Sequence, residues 1–525
     1  MIPAPNPDPT RALTAATGAY PWIPDRGDGT YCNPIIHADY SDPDVIRVGP
    51  DYYLTASSFN CTPGLPILHS RDLVNWTIIQ HAVENVPHPT YAEVRPGCGV
   101  WAPSLRFHAG KFWIFFPMPD EGIYVTTADR PSGKWSEPHL VQAGRGLIDP
   151  CPLWDADGQA YLIHAYARSR AGIKDRLCVR PMAADGSRLL GEGKIVFHQP
   201  EKHPTLEGPK FLQRDGWYYI LAPAGGVETG WQVVLRARNI YGPYEDKIVL
   251  AQGGSAINGP HQGALVDAPD DAWWFVHFQH TGVYGRIIHL QPVRWQDGWP
   301  LMGSHPGGQD IGEPVRQHPK PAGPAMDHPL IPQTSDEFDS PTLGLQWQWH
   351  ANHHAGWHSL SARKNWLRLY PQFVPRQNLG QTPNLLLQKF PAPSFLTETS
   401  LEFAPDQAGE EAGLVVVGET FAAVAVRRVG HTHQVVWRHS RGEQILREFP
   451  GGPIRLRVIV GDSGICDFSF ATGNDFIAAP EHFQARAGVW IGAKIGLYAL
   501  GRESNPSAGH ADFKYFHFLP NPRTV

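Results

Sequence analysis

Hydrophobic and polar positions along residues 33–76 alternate in short blocks that predict four strands in a row. Asp42-Pro43-Asp44 leads into Val45, Ile46 and Val48. Gly49-Pro50-Asp51 then turns the chain into an aromatic-led strand, Tyr52-Tyr53-Leu54. A third strand is predicted around residues 66–69, and Asp72-Leu73-Val74-Asn75-Trp76 closes the unit. Gly, Pro and Asp between β-branched and aromatic runs mark strands joined by tight turns. The unit then recurs. A polar or aromatic residue precedes a proline and an apolar strand at Trp101-Ala102-Pro103, Asp149-Pro150-Cys151, Glu207-Gly208-Pro209 and Asn258-Gly259-Pro260-His261. Each is followed by a turn and an aromatic strand: Phe112-Trp113, Ala160-Tyr161, Trp217-Tyr218-Tyr219 and Trp273-Trp274. A period of roughly 50 to 60 residues is that of a propeller blade, and five blades are expected.

The blade pattern spans 30–305 and fades into a Gly-, Pro- and His-rich stretch, 306–334, expected as a linker. From 335 to 525 alternation returns at 414–417, 422–426 and 454–460, as in an antiparallel β-sandwich of jelly-roll, concanavalin-like type. Residues 1–29, rich in Pro, Ala, Thr and Asp, read as an extended arm. The fold class is therefore all-β, a five-bladed β-propeller followed by a β-sandwich. A chain of 525 residues is long enough for two such cores.

Composition narrows the partners. A net charge of −6 gives no reason to expect nucleic acid or anionic lipid, and no stretch reads as a membrane span. The opening residues lack a basic start followed by an apolar run, so a cytoplasmic protein is expected. The six cysteines have no C-x-x-C pair and no zinc-like spacing, and are expected as free buried thiols. The run His350-Ala351-Asn352-His353-His354 has no helix or hairpin metal spacing and is read as a loop.

In a propeller the first strand of each blade lines the central channel, so residues at those strand starts converge. Here they are Asp42, Trp101, Asp149, Glu207 and His261. Any one of these acids could be a turn cap. Recurrence at equivalent points of three blades is harder to explain structurally. Cleavage of a glycosidic bond needs a protonated acid at the leaving oxygen and an ionised carboxylate across the sugar, about 6.5 to 9.5 Å apart when a water must fit between them. Carboxylates on separate blades suit the wider gap. A third carboxylate beside the acid would keep it protonated by like-charge repulsion. Asp42 is assigned as general base, Glu207 as general acid and Asp149 as the group that tunes and orients that acid. Asp44 is a rival to Asp42, because residues two apart on a strand share a face.

The joint pattern of NPIIHADYSDPDVIRVG, DYYLTASSF, DLVNW, VWAPSLRF, LIDPCPLW, LEGPKF, NGPHQGALVD and YGRIIHLQPVRW resembles glycoside hydrolase family 43, of the β-xylosidase type with a C-terminal sandwich. SDEFD, LQWQWH and ADFKYFHF resemble that second domain. The resemblance implies inversion at the anomeric carbon and attack on non-reducing ends, and its Asp, Asp and Glu fall on Asp42, Asp149 and Glu207. The first motif departs from the family's usual Pro-Asp-Pro-Ser, reading Ser41-Asp42-Pro43-Asp44. Phe59 and Trp101 resemble apolar walls of a sugar pocket, although Trp101 could equally serve the core. Arg286 resembles an arginine that binds sugar hydroxyls near the base. His261 resembles a channel histidine that helps hold a central calcium or a water; calcium prefers oxygen ligands, so the expectation is that no cofactor is required, with a central calcium near His261 as the alternative. Trp76 and Trp295 are expected to pack between blades.

The expected activity is release of D-xylose from β-1,4-xylooligosaccharides or arabinoxylan-derived oligosaccharides, by a chain compatible with a homo-oligomer. α-L-Arabinofuranosidase action, alone or alongside, is the alternative. A non-catalytic carbohydrate-binding propeller is a more remote one, and predicts the loss of at least one carboxylate. A retaining fructan-type hydrolase would open on an Asn-Asp-Pro-Asn motif and carry a Glu-Cys pair, and neither is present.

Overall fold

The computed structural model describes residues 20–523 except 325, 327, 375–377 and 503–506. Of the arm expected over 1–29, residues 1–19 lie outside the described residues. The chain divides into two compact units, 24–330 and a second that includes 331–525.

The first unit is a five-bladed propeller. Each blade is a four-stranded antiparallel sheet built from consecutive strands. The innermost strands are Asp44–Val48, Ser104–His108, Leu147–Trp154, Lys210–Arg214 and His261–Asp267. The first four pack on one another in sequence, the fifth packs on Trp217–Ala224 and Trp231–Ala237 of the fourth blade, and it meets the first to close the ring. An ion pair between Arg47 and Asp267 joins those two strands. The apolar core lies between blades. Leu65 and Ile67 of the first meet Leu105 and Ile114 of the second. Phe115 and Ile123 meet Leu162 of the third; Ile163 and Leu177 meet Phe211 and Ile220 of the fourth; Tyr219 and Leu221 meet Phe275 and Leu301 of the fifth. Alternation with period two puts one apolar face of every blade into each such seam. Trp76 is buried in the first blade and Trp295 packs against the seam of the last two.

Residues 306–334 contribute structure to the propeller unit. Gln317–Pro319 pairs antiparallel with Thr30–Cys32. Lys320 Nζ then reaches Asp25 Oδ2 at 2.6 Å and Asp72 Oδ2 at 3.7 Å.

The second unit is a sandwich of two sheets. One runs Gln348–Trp349, Leu386–Lys389, Lys494–Gly501, Glu411–Val417, Phe421–Val429, Thr432–His439 and Gly442–Phe449. The other is centred on His510–Leu519, Phe395–Ala404, Ile454–Val460 and Ile465–Ala471. All six cysteines are free; Cys61, Cys151, Cys178 and Cys466 are buried, whereas Cys32 and Cys98 are only partly so. His350 is buried with Nδ1 3.2 Å from the Thr382 carbonyl. His353 stacks on Trp349 and His354 lies edge-on to Trp357, so these rings are engaged in packing. No helix among the described residues is long and apolar enough to cross a membrane.

Candidate active site

Blade geometry delivers the predicted acids to one end of the ring. Asp42 precedes the first inner strand by two residues, Glu207 precedes the fourth by three, and Asp149 lies inside the third at a bulge between Ile148 and Cys151. Left-handed backbone recurs here: φ is +56° at Asp42, +55° at Asp149, +59° at Gly208 and +30° at Gln262. Such conformations are costly outside glycine and persist where surrounding structure enforces them. Gly208 is needed for space as well, since a Cβ there would lie 2.9 Å from the Gln262 side chain.

Asp42 is buried and ringed by donors. Ser41 Oγ and Ser57 Oγ donate to its Oδ2 at 2.7 and 2.6 Å, and Arg286 Nη1 donates to Oδ1 at 2.8 Å. The same Nη1 donates to Ser41 Oγ at 2.7 Å, while the Arg286 backbone N–H donates to Asp39 Oδ1. Two hydroxyls and a guanidinium fit an ionised carboxylate, which only accepts.

Asp149 and Glu207 lack such an escort. Asp149 Oδ2 accepts the Gly208 N–H at 2.8 Å, and Gln262 adds a side-chain hydrogen bond. Burial nevertheless raises its pKa to about 6, with the Asp42 charge adding to the rise. Glu207 is pushed up to about 8, first by desolvation and then by the Asp149 charge, with Asp42 adding and Arg286 and Lys174 opposing. Its side chain keeps 30% of its surface open to solvent. His261 Nε2 lies 3.5 Å from its Oε1. Burial first, then Arg286 and His277, lower His261 to about 3, so that imidazole is neutral and leaves the Glu207 carboxyl without a cation at contact.

Asp44 stands apart from this group. It is fully buried, and its Oδ2 accepts from the Leu105 N–H and from Arg106 Nη1, each at 2.7 Å, with Lys210 Nζ 3.8 Å away. Arg106 Nη2 continues to Cys151 Sγ at 2.8 Å, and Cys151 accepts the Phe211 N–H at 3.2 Å. Lys210 Nζ caps the Pro103 carbonyl and Ser104 Oγ at 2.6 and 2.7 Å. The inner strands of four blades are thus tied by a polar belt that engages Asp44 through Oδ2. Sequence reading missed Ser57, Gln262, Lys174 and the belt. A lysine and an arginine inside apolar inner strands were the available signals.

Of the remaining predicted residues, Arg286 joins Asp42 and His261 joins Glu207. Phe59 is buried at 2% exposure, with its ring centroid 6.2 Å from that of the partly exposed Trp101. Phe59 is bridged to Val100, and Gly99 passes so close that a Cβ would lie 2.2 Å from the Phe59 carbonyl oxygen. The Arg170 guanidinium lies 5.3 Å from the Trp101 ring centroid. Among the described residues no group of three or more His, Cys, Asp or Glu is disposed to hold a metal ion. Both His261 ring nitrogens are buried without a hydrogen-bond partner. A neutral imidazole offers nitrogen where calcium takes oxygen, so His261 does not fit calcium as a ligand.

Comparison with known proteins adds an independent line. Residues 31–300 match the model of glycosyl hydrolases family 43, and residues 335–519 match the beta xylosidase C-terminal concanavalin A-like domain. A putative beta-xylosidase of Xylanibacter ruminicola is 45% identical over 77% of this chain and 74% of its own. A non-reducing end alpha-L-arabinofuranosidase of Bacteroides ovatus is 28% identical over 93% of this chain and 94% of its own. The crystal structure of the GH43 BlXynB protein from Bacillus licheniformis superposes with a TM-score of 0.81 at 25% identity, covering 93% of this chain and 99% of that one. With three acids gathered at one end of a five-bladed ring and a matching second domain, the chain belongs to glycosyl hydrolases family 43 and is a glycoside hydrolase.

Proposed function

We propose that this enzyme is an inverting exo-glycosidase that releases D-xylose from the non-reducing ends of β-1,4-xylooligosaccharides. Asp42 acts as general base, Glu207 as general acid and Asp149 tunes the acid. The observation that carries the reading is the unequal escort of three carboxylates, Asp42 and Asp149 buried and Glu207 partly exposed. Asp42 faces three donors, whereas Glu207 is raised to about 8 by burial and by Asp149. Titratable groups pushed apart in this way divide acid from base work. Glu207 protonates the leaving oxygen while Asp42 takes a proton from the attacking water. Carboxylates carried on separate blades suit the gap an inverting enzyme keeps for that water. Arg286 orients the base, and the reaction needs no cofactor. The xylose reading draws on the Xylanibacter ruminicola relative. The Bacteroides ovatus relative favours a second reading, removal of α-L-arabinofuranose from arabinoxylan-derived oligosaccharides.

Proton NMR of xylobiose hydrolysis tests this directly. α-Xylose appearing before mutarotation is the expected result. β-Xylose appearing first overturns the assigned roles, and release of sugar only from arabinose-capped substrates selects the second reading.

A further inference from the structure

We propose that Lys174 and Asp175, in the hairpin between the second and third strands of the third blade, form a clamp on Thr205 that positions Glu207. The inference rests on reading Glu207 as the general acid. Residues 203–209 approach the fourth blade outside any strand, where the Gly225 N–H donates to the Pro204 carbonyl at 2.7 Å but no continuous ladder runs. Two contacts act at and just beyond the acid: the Glu207 N–H donates to the Pro223 carbonyl at 3.2 Å, and the Gly208 N–H donates to Asp149. Upstream of the acid, the Thr205 N–H donates to Asp175 Oδ1, and Lys174 Nζ donates to Thr205 Oγ1 at 3.1 Å. Lys174 Nζ also lies 3.6 Å from the same Asp175 oxygen, which closes a three-residue triangle.

The triangle holds a backbone that would otherwise relax. Thr205 has φ +56°, and a β-branched residue keeps left-handed backbone only under constraint. Asp175 is itself at φ +60°, and its carbonyl is held 2.9 Å from His198 Nδ1, so the clamp is anchored in its own blade. Thr205 is two residues from Glu207, close enough for its backbone angles to set where the carboxyl points. Lys174 also contributes charge. The groups acting on Glu207 are Asp149 and Asp42, which favour the protonated form, and Arg286 and Lys174, which oppose it, beside neutral His261.

Leaving groups separate positioning from mere structure. Xylobiose needs a proton on its departing oxygen, whereas p-nitrophenyl β-xyloside leaves without one. Lys174→Met, Asp175→Asn and Thr205→Val are compared with Glu207→Gln on both substrates, with thermal melts recorded for each. The expected result is a roughly ten- to hundredfold loss of kcat on xylobiose, little change on the aryl glycoside and KM values close to the parent. Lys174→Met also moves the alkaline limb of the xylobiose profile upward, because a cation opposing protonation is gone, and Lys174→Arg restores both readouts. Equal losses on the two substrates in the clamp variants, where Glu207→Gln separates them, overturn the clamp. Equal losses in Glu207→Gln itself overturn the acid assignment instead.

Discussion

Glu207 in the propeller, partly open to solvent, and Glu411 in the sandwich, fully buried, are glutamates with opposite company. Glu411 Oε2 accepts from Arg427 Nε at 2.8 Å, and its Oε1 accepts from Arg438 Nη1 at 2.6 Å and from the Tyr498 hydroxyl at 2.7 Å. Arg427 is in turn held by both oxygens of Glu443 at 2.7 Å. That cluster is closed: every formal charge faces its opposite, as buried ion pairs require. Among the described residues no ammonium or guanidinium lies within ion-pair distance of Glu207, and the largest charged influence on it is another carboxylate, Asp149. Burial of an acid is therefore no mark of function by itself. An acid left without a counter-charge beside a second acid is one.

Substitutions at the two sites break this comparison in different ways. The largest effect is expected at Asp42→Asn, which keeps the side-chain size but cannot take a proton; kcat should fall about 10²- to 10⁴-fold with the circular dichroism spectrum unchanged. Glu411→Ala should act on stability instead. Leaving two buried guanidinium groups to share Glu443 alone costs about 3–5 kcal/mol, read as a lower urea midpoint with tryptophan fluorescence. The smallest effect, and the sharpest, is expected from Asp149→Asn. With Glu207 as the proposed acid, activity should be lost as pH rises through its raised pKa of about 8. The Asp149 charge contributes to that rise, so its removal lowers the pKa and moves the alkaline limb of kcat/KM downward. An unmoved limb would remove Asp149 from the tuning role.

Much of the site could be read from the strand starts. Asp42, Asp149, Glu207 and His261 share the inner end of the ring because each stands at an equivalent point of the blade repeat. Asp42 and Asp44 could not be separated in that way, since strand alternation puts them on one face. The left-handed turn at Asp42 interrupts the alternation, and Arg106 and Leu105 of the next blade then claim Asp44. The stretch 306–334 looked like a linker because Gly and Pro dominate it. Its pairing partner, Thr30–Cys32, lies nearly 290 residues earlier, beyond any local pattern.

The sequence by itself determined the strand period, the blade repeat, the two all-β units and the presence of an acid at three blade starts. These follow from local alternation and turn chemistry. Only the tertiary structure decided which acid is escorted and which is left short of charge. Arg286 and Asp42 are 244 residues apart, Gly208 and Asp149 are 59, and the Lys174–Thr205 contact spans 31. Electrostatic environment is a sum over neighbours in space, and ring closure chooses those neighbours.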